Sequence, residues 1–226
     1  MRAMTDMQNL ALRGDEAASG LRNQNGQRVG SKGLRTRRKL VEKTLELLES
    51  RGLRDLTVTE VARAAGTSPA TFYVYFEGVP EVVLAALQEI DQTSPELFAF
   101  ADNDWQGSDG EQQARRFVDE YCRLWNRHRV VYRVRNMAAE EGDRRFYDAR
   151  LQSARPIIEA LAAKMDRAKD QGRAPGHLNS YAIAAAIITM LERMSAVGPT
   201  TADDKRISYQ ALKDSAAHMI SLTYGA

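Results

Sequence analysis

From residue 34 onward, apolar residues recur at three- and four-residue intervals along nearly the whole chain. No segment alternates apolar with polar residues between turn signals, so the pattern predicts helices and no strands. A first helix is predicted over 35–51, with Leu40, Val41, Thr44, Leu45 and Leu48 on one face and Gly52 as its stop. A second begins at Thr57. There Thr57-Val58-Thr59-Glu60 has the form of a capping box: the threonine oxygen takes a free amide, and the glutamate reaches back to the cap. Val58, Val61, Ala62 and Ala65 follow at helical spacing, and Gly66 ends the run. A third, short helix starts after Ser68, with Pro69 where a missing amide costs nothing, and reaches about residue 75. A fourth is predicted over 80–93.

Beyond these come Ala114, Phe117, Val118, Tyr121 and Trp125 on one stripe, and Val130, Val131, Val134 and Met137 on the next. Tyr147, Leu151, Ala154, Ile158, Leu161 and Met165 mark a long helix that breaks at 172–176. Residues 178–197 are apolar almost all round, which predicts a helix covered on both sides. Gly198-Pro199 ends it, and a last helix is predicted over 203–223. The polar, glycine-bearing stretch 103–110 suggests a domain boundary nearby. The organisation read from the chain is a flexible basic arm at 1–33, a helical domain at 34–94 and a second helical domain at 95–226. The fold class is all-α.

Charge changes the picture locally rather than globally. The net charge is only +2, but residues 22–41 hold seven basic residues and no acidic one. Such a block beside a helix is an electrostatic footprint for phosphate, although a solvated arm has the same composition. The longest uninterrupted apolar stretch, 182–188, is far short of the roughly 20 residues of a bilayer span. No charged-then-apolar leader pattern is present, so the expected location is the cytoplasm, with no membrane partner. The one cysteine, Cys122, allows no internal disulfide, and the three histidines show no metal-ligand spacing. No metal and no cofactor are expected.

The second and third helices, joined by Gly66-Thr67-Ser68, form a helix-turn-helix. Small Ala62 and Ala65 let the two helices cross closely, and the third helix can then enter the DNA major groove. Its candidate reading groups are Thr71 and Tyr73, with Thr57, Thr67, Ser68 and Tyr75 around it. Arg35, Arg37 and Arg38 of the first helix are candidate phosphate contacts. Phe72 and Phe76 are better suited to anchoring the helix in the small core. On the sequence alone, Ser68 serves equally as a helix cap or a phosphate contact.

The run Leu56-Thr57-Val58-Thr59-Glu60-Val61-Ala62, then Ala65-Gly66-Thr67-Ser68, then Thr71-Phe72-Tyr73-Val74-Tyr75-Phe76 resembles the DNA-binding domain of the TetR family of bacterial regulators. The resemblance covers 35–87. It implies an N-terminal three-helix DNA-binding domain and a C-terminal helical domain for effector binding and dimerisation. It implies a homodimer paired through the last two helices, about 178–197 and 203–223, on a palindromic double-stranded operator. A repressor of this kind is released when a small ligand shifts the fourth helix. One departure stands out. The family usually carries a lysine near the start of the fourth helix, and Phe76-Glu77-Gly78-Val79-Pro80-Glu81 has Val79 there. Glu77 and Glu81 work against a phosphate at that helix end, and the basic arm is expected to compensate.

For an effector, the expected lining is Phe117, Tyr121, Trp125, Met137, Tyr147, Leu151, Ile158 and Leu191, a set suited to small apolar or aromatic compounds. Any helical core uses the same residues at the same spacing. Arg133, Glu140 and Arg193 are candidate polar anchors. A regulator with no small-molecule input, governed by a protein partner or its own abundance, is the alternative. An enzyme is not expected: the chain has no glycine-rich phosphate loop, metal-ligand cluster or nucleophile elbow.

Overall fold

The computed structural model describes residues 22–92, 105, 109–198 and 207–225. Nine α-helices are found among them: α1 (Ser31–Leu48), α2 (Val58–Ala64), α3 (Pro69–Tyr75), α4 (Val79–Gln92), α5 (Gly110–Arg127), α6 (Arg129–Glu140), α7 (Arg144–Asp170), α8 (Ser180–Val197) and α9 (Tyr209–Thr223). No strand occurs among the described residues. The chain is all-α, as the apolar spacing requires. The described residues divide into two compact units. One holds those before residue 94 together with Val130–Arg150, and the other holds the rest. The stretch Val130–Arg150 therefore packs with the N-terminal helices, although it lies inside the range read from sequence as the second domain.

In the first unit, α1 packs against α4 and α2, and α2 crosses α3. Leu40, Leu48, Val61, Phe72, Val82 and Leu87 are buried at its centre. Three arginines tie Val130–Arg150 or its partners into this unit. Arg133 donates to the Leu48 carbonyl at the open end of α1. Arg145 pairs with Glu81, and Arg54 with Glu141 at 3.0 Å. Arg133, a candidate ligand anchor on sequence, is thus a cap for carbonyls that a helix C-terminus leaves without partners.

Several local expectations shift. The first helix begins at Ser31 rather than 35 and ends at Leu48 rather than 51. Gly52 is not its left-handed stop: it has φ −76° and precedes a short 3-10 turn, Leu53–Asp55. The arm is not structureless throughout. Residues 22–29 form a tight turn with Arg22 bridged to Arg28, while residues 1–21 lie outside the described residues. Most of the boundary at 103–110 also lies outside them, and the last helix begins at Tyr209 rather than 203, after Ser208 as its cap.

In the second unit, α9 packs along α5, and α8 also packs on α5. Phe117, Leu161, Met165, Leu191 and Ile220 form its core with Trp105 and Tyr224. The Trp105 ring lies 5.5 Å from Phe117 and 5.2 Å from Tyr224, so a core anchor sits inside a segment that reads as polar. Among the described residues, the helix α8 is not covered on both sides. Ala184, Ile187, Ile188 and Leu191 are buried, whereas Tyr181, Ala182, Ala186, Thr189 and Arg193 are exposed. By length and composition alone it matches a membrane span, with a mean hydropathy of 1.3, longer than the sequence reading allowed. Its buried half belongs to the core of this unit, and apolar core helices match that composition as well.

Candidate nucleic-acid interface

The helix-turn-helix is fixed by three local devices. At the start of α2, Thr57 Oγ1 accepts from the Glu60 amide at 3.3 Å, and the Thr57 amide donates to Glu60 Oε2 at 3.0 Å. Both halves of the capping box are therefore present. The Thr57 hydroxyl also donates to Glu60 at 2.6 Å, and Arg51 donates to the other carboxylate oxygen at 2.9 Å. These bonds, Thr57 first and Arg51 second, hold the Glu60 carboxyl at about 2. The Thr57 hydroxyl is engaged within the box.

At the turn, Gly66 has φ +66°, a conformation open to glycine at little cost. The Gly66 amide donates to Arg63 O at 3.0 Å and the Thr67 amide to Ala62 O at 2.9 Å. This pair of bonds closes the helix in a Schellman motif. At the start of α3, Ser68 Oγ accepts from the Thr71 amide at 3.1 Å and lies 3.0 Å from Thr71 Oγ1. Ser68 is a cap, with Pro69 following it.

With its ends fixed, α3 is oriented by two aromatics. Phe72 and Phe76 are buried, their rings 5.8 Å apart. That leaves Pro69, Ala70 and Tyr73 exposed on the opposite face, with Tyr73 at 53% exposure and Thr71 half-buried beside it. Thr67 and Tyr75 are half-buried, and the Tyr75 hydroxyl lies against Gly33, where a Cβ would come within 3.1 Å of it. Pro69 and Ala70 were not among the sequence candidates. Their place on the outer face follows from Phe72 and Phe76 turning inward.

The basic residues of α1 separate into two sets. Arg37 faces inward: it pairs with Glu89 at 2.7 Å, and its guanidinium lies 5.2 Å over the Phe76 ring. This arginine holds α1 to α4 and is not part of an outward patch. Arg38 is half-buried. Lys32, Arg35 and Lys39 are exposed, one helical face apart at i, i+3 and i+7. The stripe reaches the turn, because Lys39 Nζ stands 3.4 Å from where a Gly66 Cβ would be. Lys32 and Lys39 belong to the seven-residue basic block but were not singled out with Arg35, although their helical spacing from it was legible.

The start of α4 accounts for the missing lysine. Val79 is 4% exposed, so a core side chain occupies this position. Glu81, in the first turn, is paired with Arg145, which also holds Asp143 at 2.7 Å. Arg145 keeps the Asp143 carboxyl below its usual range, chiefly by hydrogen bonding. The repulsion expected from Glu81 is offset by that arginine, and Glu77 remains exposed.

The expected effector lining does not come together as one set. Phe117 and Leu191 are buried in the core of the second unit, with Tyr121 and Ile158 packed against it. Trp125 is buried with Arg129 5.5 Å over its ring. Met137, Tyr147 and Leu151 are 51%, 44% and 47% exposed and lie outside that cluster. Periodicity identifies an apolar stripe but not which stripes meet. Glu140 and Arg193 are exposed.

A polar group lies inside the same unit. Ser195 donates to Cys122 Sγ at 3.5 Å, and the Tyr209 hydroxyl is buried beside Cys122 and Ser195. Burial, with Cys122 next, pushes the Tyr209 phenol up to about 12. No group of side chains able to hold a metal occurs among the described residues.

Residues 40–86 match the family model "Bacterial regulatory proteins, tetR family", and residues 98–224 match "Tetracyclin repressor-like, C-terminal domain". The HTH-type transcriptional regulator EthR of Mycobacterium tuberculosis is 30% identical over 148 residues, covering 65% of this chain and 68% of that protein. Among solved structures, the fatty acid degradation regulator FadR from Bacillus halodurans aligns with a TM-score of 0.64. It is 14% identical and covers 82% of this chain and 94% of its own. A transcriptional regulator from Saccharomonospora viridis in complex with choline aligns with a TM-score of 0.63. It is 16% identical, covering 82% of this chain and 95% of its own.

Proposed function

The chain belongs to the TetR family of DNA-binding transcription regulators, which are not enzymes, and from that premise we propose that it is a homodimeric repressor released from a palindromic operator by a small, largely apolar ligand. The observation that carries the DNA-binding part is the exposed face of α3, with Tyr73 outward and Thr71 beside it, bordered by the stripe Lys32, Arg35 and Lys39. An exposed helix face of this width suits the major groove, and the stripe suits the phosphates along its edge. Ser68 and Thr67 border the same surface. The site of action is the cytoplasm.

Dimerisation is supported by the uncovered apolar surface of the last two helices. Tyr181 of α8 and Met219 and Leu222 of α9 are 49%, 50% and 62% exposed. Small Ala182 and Ala186 on the same side of α8 would allow close approach of a second copy. Two short recognition helices related by a two-fold axis then read two half-sites.

The effector reading rests on the second unit. Phe117, Tyr121, Ile158 and Leu191 supply apolar surface, and the buried Tyr209 hydroxyl supplies a polar group within the same unit. A ligand releases the operator only if it binds the non-DNA form more tightly.

The test is binding of the purified chain to the DNA upstream of its own gene, by gel shift and footprinting. Protection of two symmetric half-sites, lost on adding apolar compounds that also raise the melting temperature, is the expected result. A symmetric footprint that no such compound disturbs would favour control by a protein partner or by abundance. No specific footprint would remove the reading for that DNA.

A further inference from the structure

The turn at residues 22–28 is held by its own bonds. The Asn23 side-chain oxygen accepts from the Asn25 and Gln27 amides at 3.0 and 2.8 Å. The Asn23 amide donates to Gln27 O and the Gly26 amide to Asn23 O, both at 2.9 Å. Gly26 takes φ +74°, and Arg22 reaches across to the Gly26 carbonyl at 2.6 Å. The turn is also latched elsewhere: the Gln24 amide donates to the Val74 carbonyl at 2.9 Å. Val74 lies in the last turn of α3, where helix carbonyls have no partner within the helix. The latch thus satisfies a group that α3 itself leaves open. Below it, Val29 packs so closely on Gly33 that a Cβ there would come within 2.7 Å of Val29 Cγ1. The turn is attached to the exit of the candidate DNA-reading helix and to the start of α1.

We propose that this latched turn is a second DNA-contacting element, in which Arg22 and Arg28 grip the sugar–phosphate backbone bordering the groove that α3 enters. The inference rests on the reading of the chain as a DNA-binding regulator and assigns the turn a role within it. Arg22 and Arg28 are exposed, and among the described residues no hydrogen bond or ion pair engages Arg28. They precede Lys32 and Arg35 in a basic block with no acidic residue anywhere in 22–41. Position chooses phosphate over bases. Residues that read base edges sit toward the start of a recognition helix. Val74 is near the other end of a seven-residue helix, about 7.5 Å from its first residue by helical rise. With a major groove about 12 Å wide, a group at that end meets the backbone at the groove edge. Phosphate contacts position a protein on DNA without reading sequence.

The test uses the full chain and a duplex recovered by selection with it from a random-sequence library. Affinity is measured by fluorescence anisotropy across a range of KCl concentrations. The Arg22→Gln, Arg28→Gln variant is expected to lose roughly tenfold in affinity, and its salt slope is expected to fall by about 2 per protomer, one unit for each phosphate contact. Its base preference should stay the same. The Gln24→Pro variant keeps every charge but has no amide to offer Val74, and it is expected to lose affinity as well, with an unchanged circular dichroism melt. An unchanged salt slope in the double variant would overturn the proposal. A Gln24→Pro variant that binds like the parent would overturn the latched form of it, since a loose basic arm would then suffice. Altered base preference at flanking A·T pairs would overturn the phosphate assignment in favour of minor-groove reading. If no duplex is selected at all, the DNA-binding reading falls first. If a duplex is selected and loses its hold only in a Thr71→Ala, Tyr73→Ala variant, that reading stands and the turn has no part in it.

Discussion

The helix-turn-helix and the second unit are built from the same kind of element but secured in different ways. Between Thr57 and Phe76, three of the four helix ends are closed by a neighbour in sequence, Thr57 with Glu60, Gly66 with Arg63 and Ser68 with Thr71, and only the exit of α3 is reached from afar, by Gln24. In the second unit Asn179 and Ser208 cap their helices locally too, but the helices are tied to one another by long-range bonds: Lys213 pairs with Asp119 at 2.6 Å, the Tyr224 hydroxyl donates to Leu161 O at 3.1 Å, and Arg173 donates to Tyr224 O at 2.7 Å. A reading surface must hold a fixed shape on few residues, and local caps supply it. In the second unit the relative placement of helices is set by such packing between distant segments.

The largest expected effect lies in the second unit. Phe117 is fully buried beside Trp105, and Phe117→Ala should cost about 4 kcal/mol by leaving a cavity, read as a lower melting temperature in calorimetry. A loss below about 1 kcal/mol would mean that the core there collapses around the gap. In the helix-turn-helix the losses should be smaller and confined. Gly66→Ala places a Cβ in the left-handed conformation and should cost about 1–2 kcal/mol, with DNA affinity falling as the turn distorts. Thr57→Ala removes one half of the capping box and should cost about 1 kcal/mol in chemical denaturation.

The smallest effect separates the two regions by pH. Glu60 is held at about 2, below the 4.5 of a free carboxyl, so its stabilisation is full above pH 4.5 and disappears as pH falls toward 2. Tyr209 is pushed up to about 12 from 10, and burial also raises Tyr224, so their contribution is full below pH 10 and is lost as pH rises through 12. Acid should therefore weaken the helix-turn-helix, and alkali the second unit. Glu60→Gln should flatten the acid limb and leave the alkaline limb unchanged, as followed by circular dichroism across a pH series.

The same contrast explains what was legible in the sequence. The capping box at Thr57, the Ser68-Pro69 start and the Gly66 turn were readable because each is decided within a few residues, and α3 ends at Tyr75 as its pattern requires. Tyr73 and Thr71 could be named for the same reason. Arg37 could not be separated from Arg35, since its partner Glu89 is 52 residues away. Gly52 reads as a helix stop until its φ of −76° is seen. The burial of Val79 and of Trp105, and the packing of Val130–Arg150 with the first unit, depend on contacts distant in sequence. The apolar stripes of α5 to α8 were found, but the exposure of Met137, Tyr147 and Leu151 was not, because a period of 3.6 gives a face without naming its neighbour.

The central claim is that the outward face of α3 reads DNA. Its most direct test is anisotropy of a fluorescent duplex carrying the footprinted half-sites, titrated with the parent chain and with Thr71→Ala, Tyr73→Ala. Both side chains project from a helix whose core is untouched, so the variant should melt like the parent and bind roughly 100-fold more weakly. Equal binding by a folded variant would contradict the claim and move recognition away from α3.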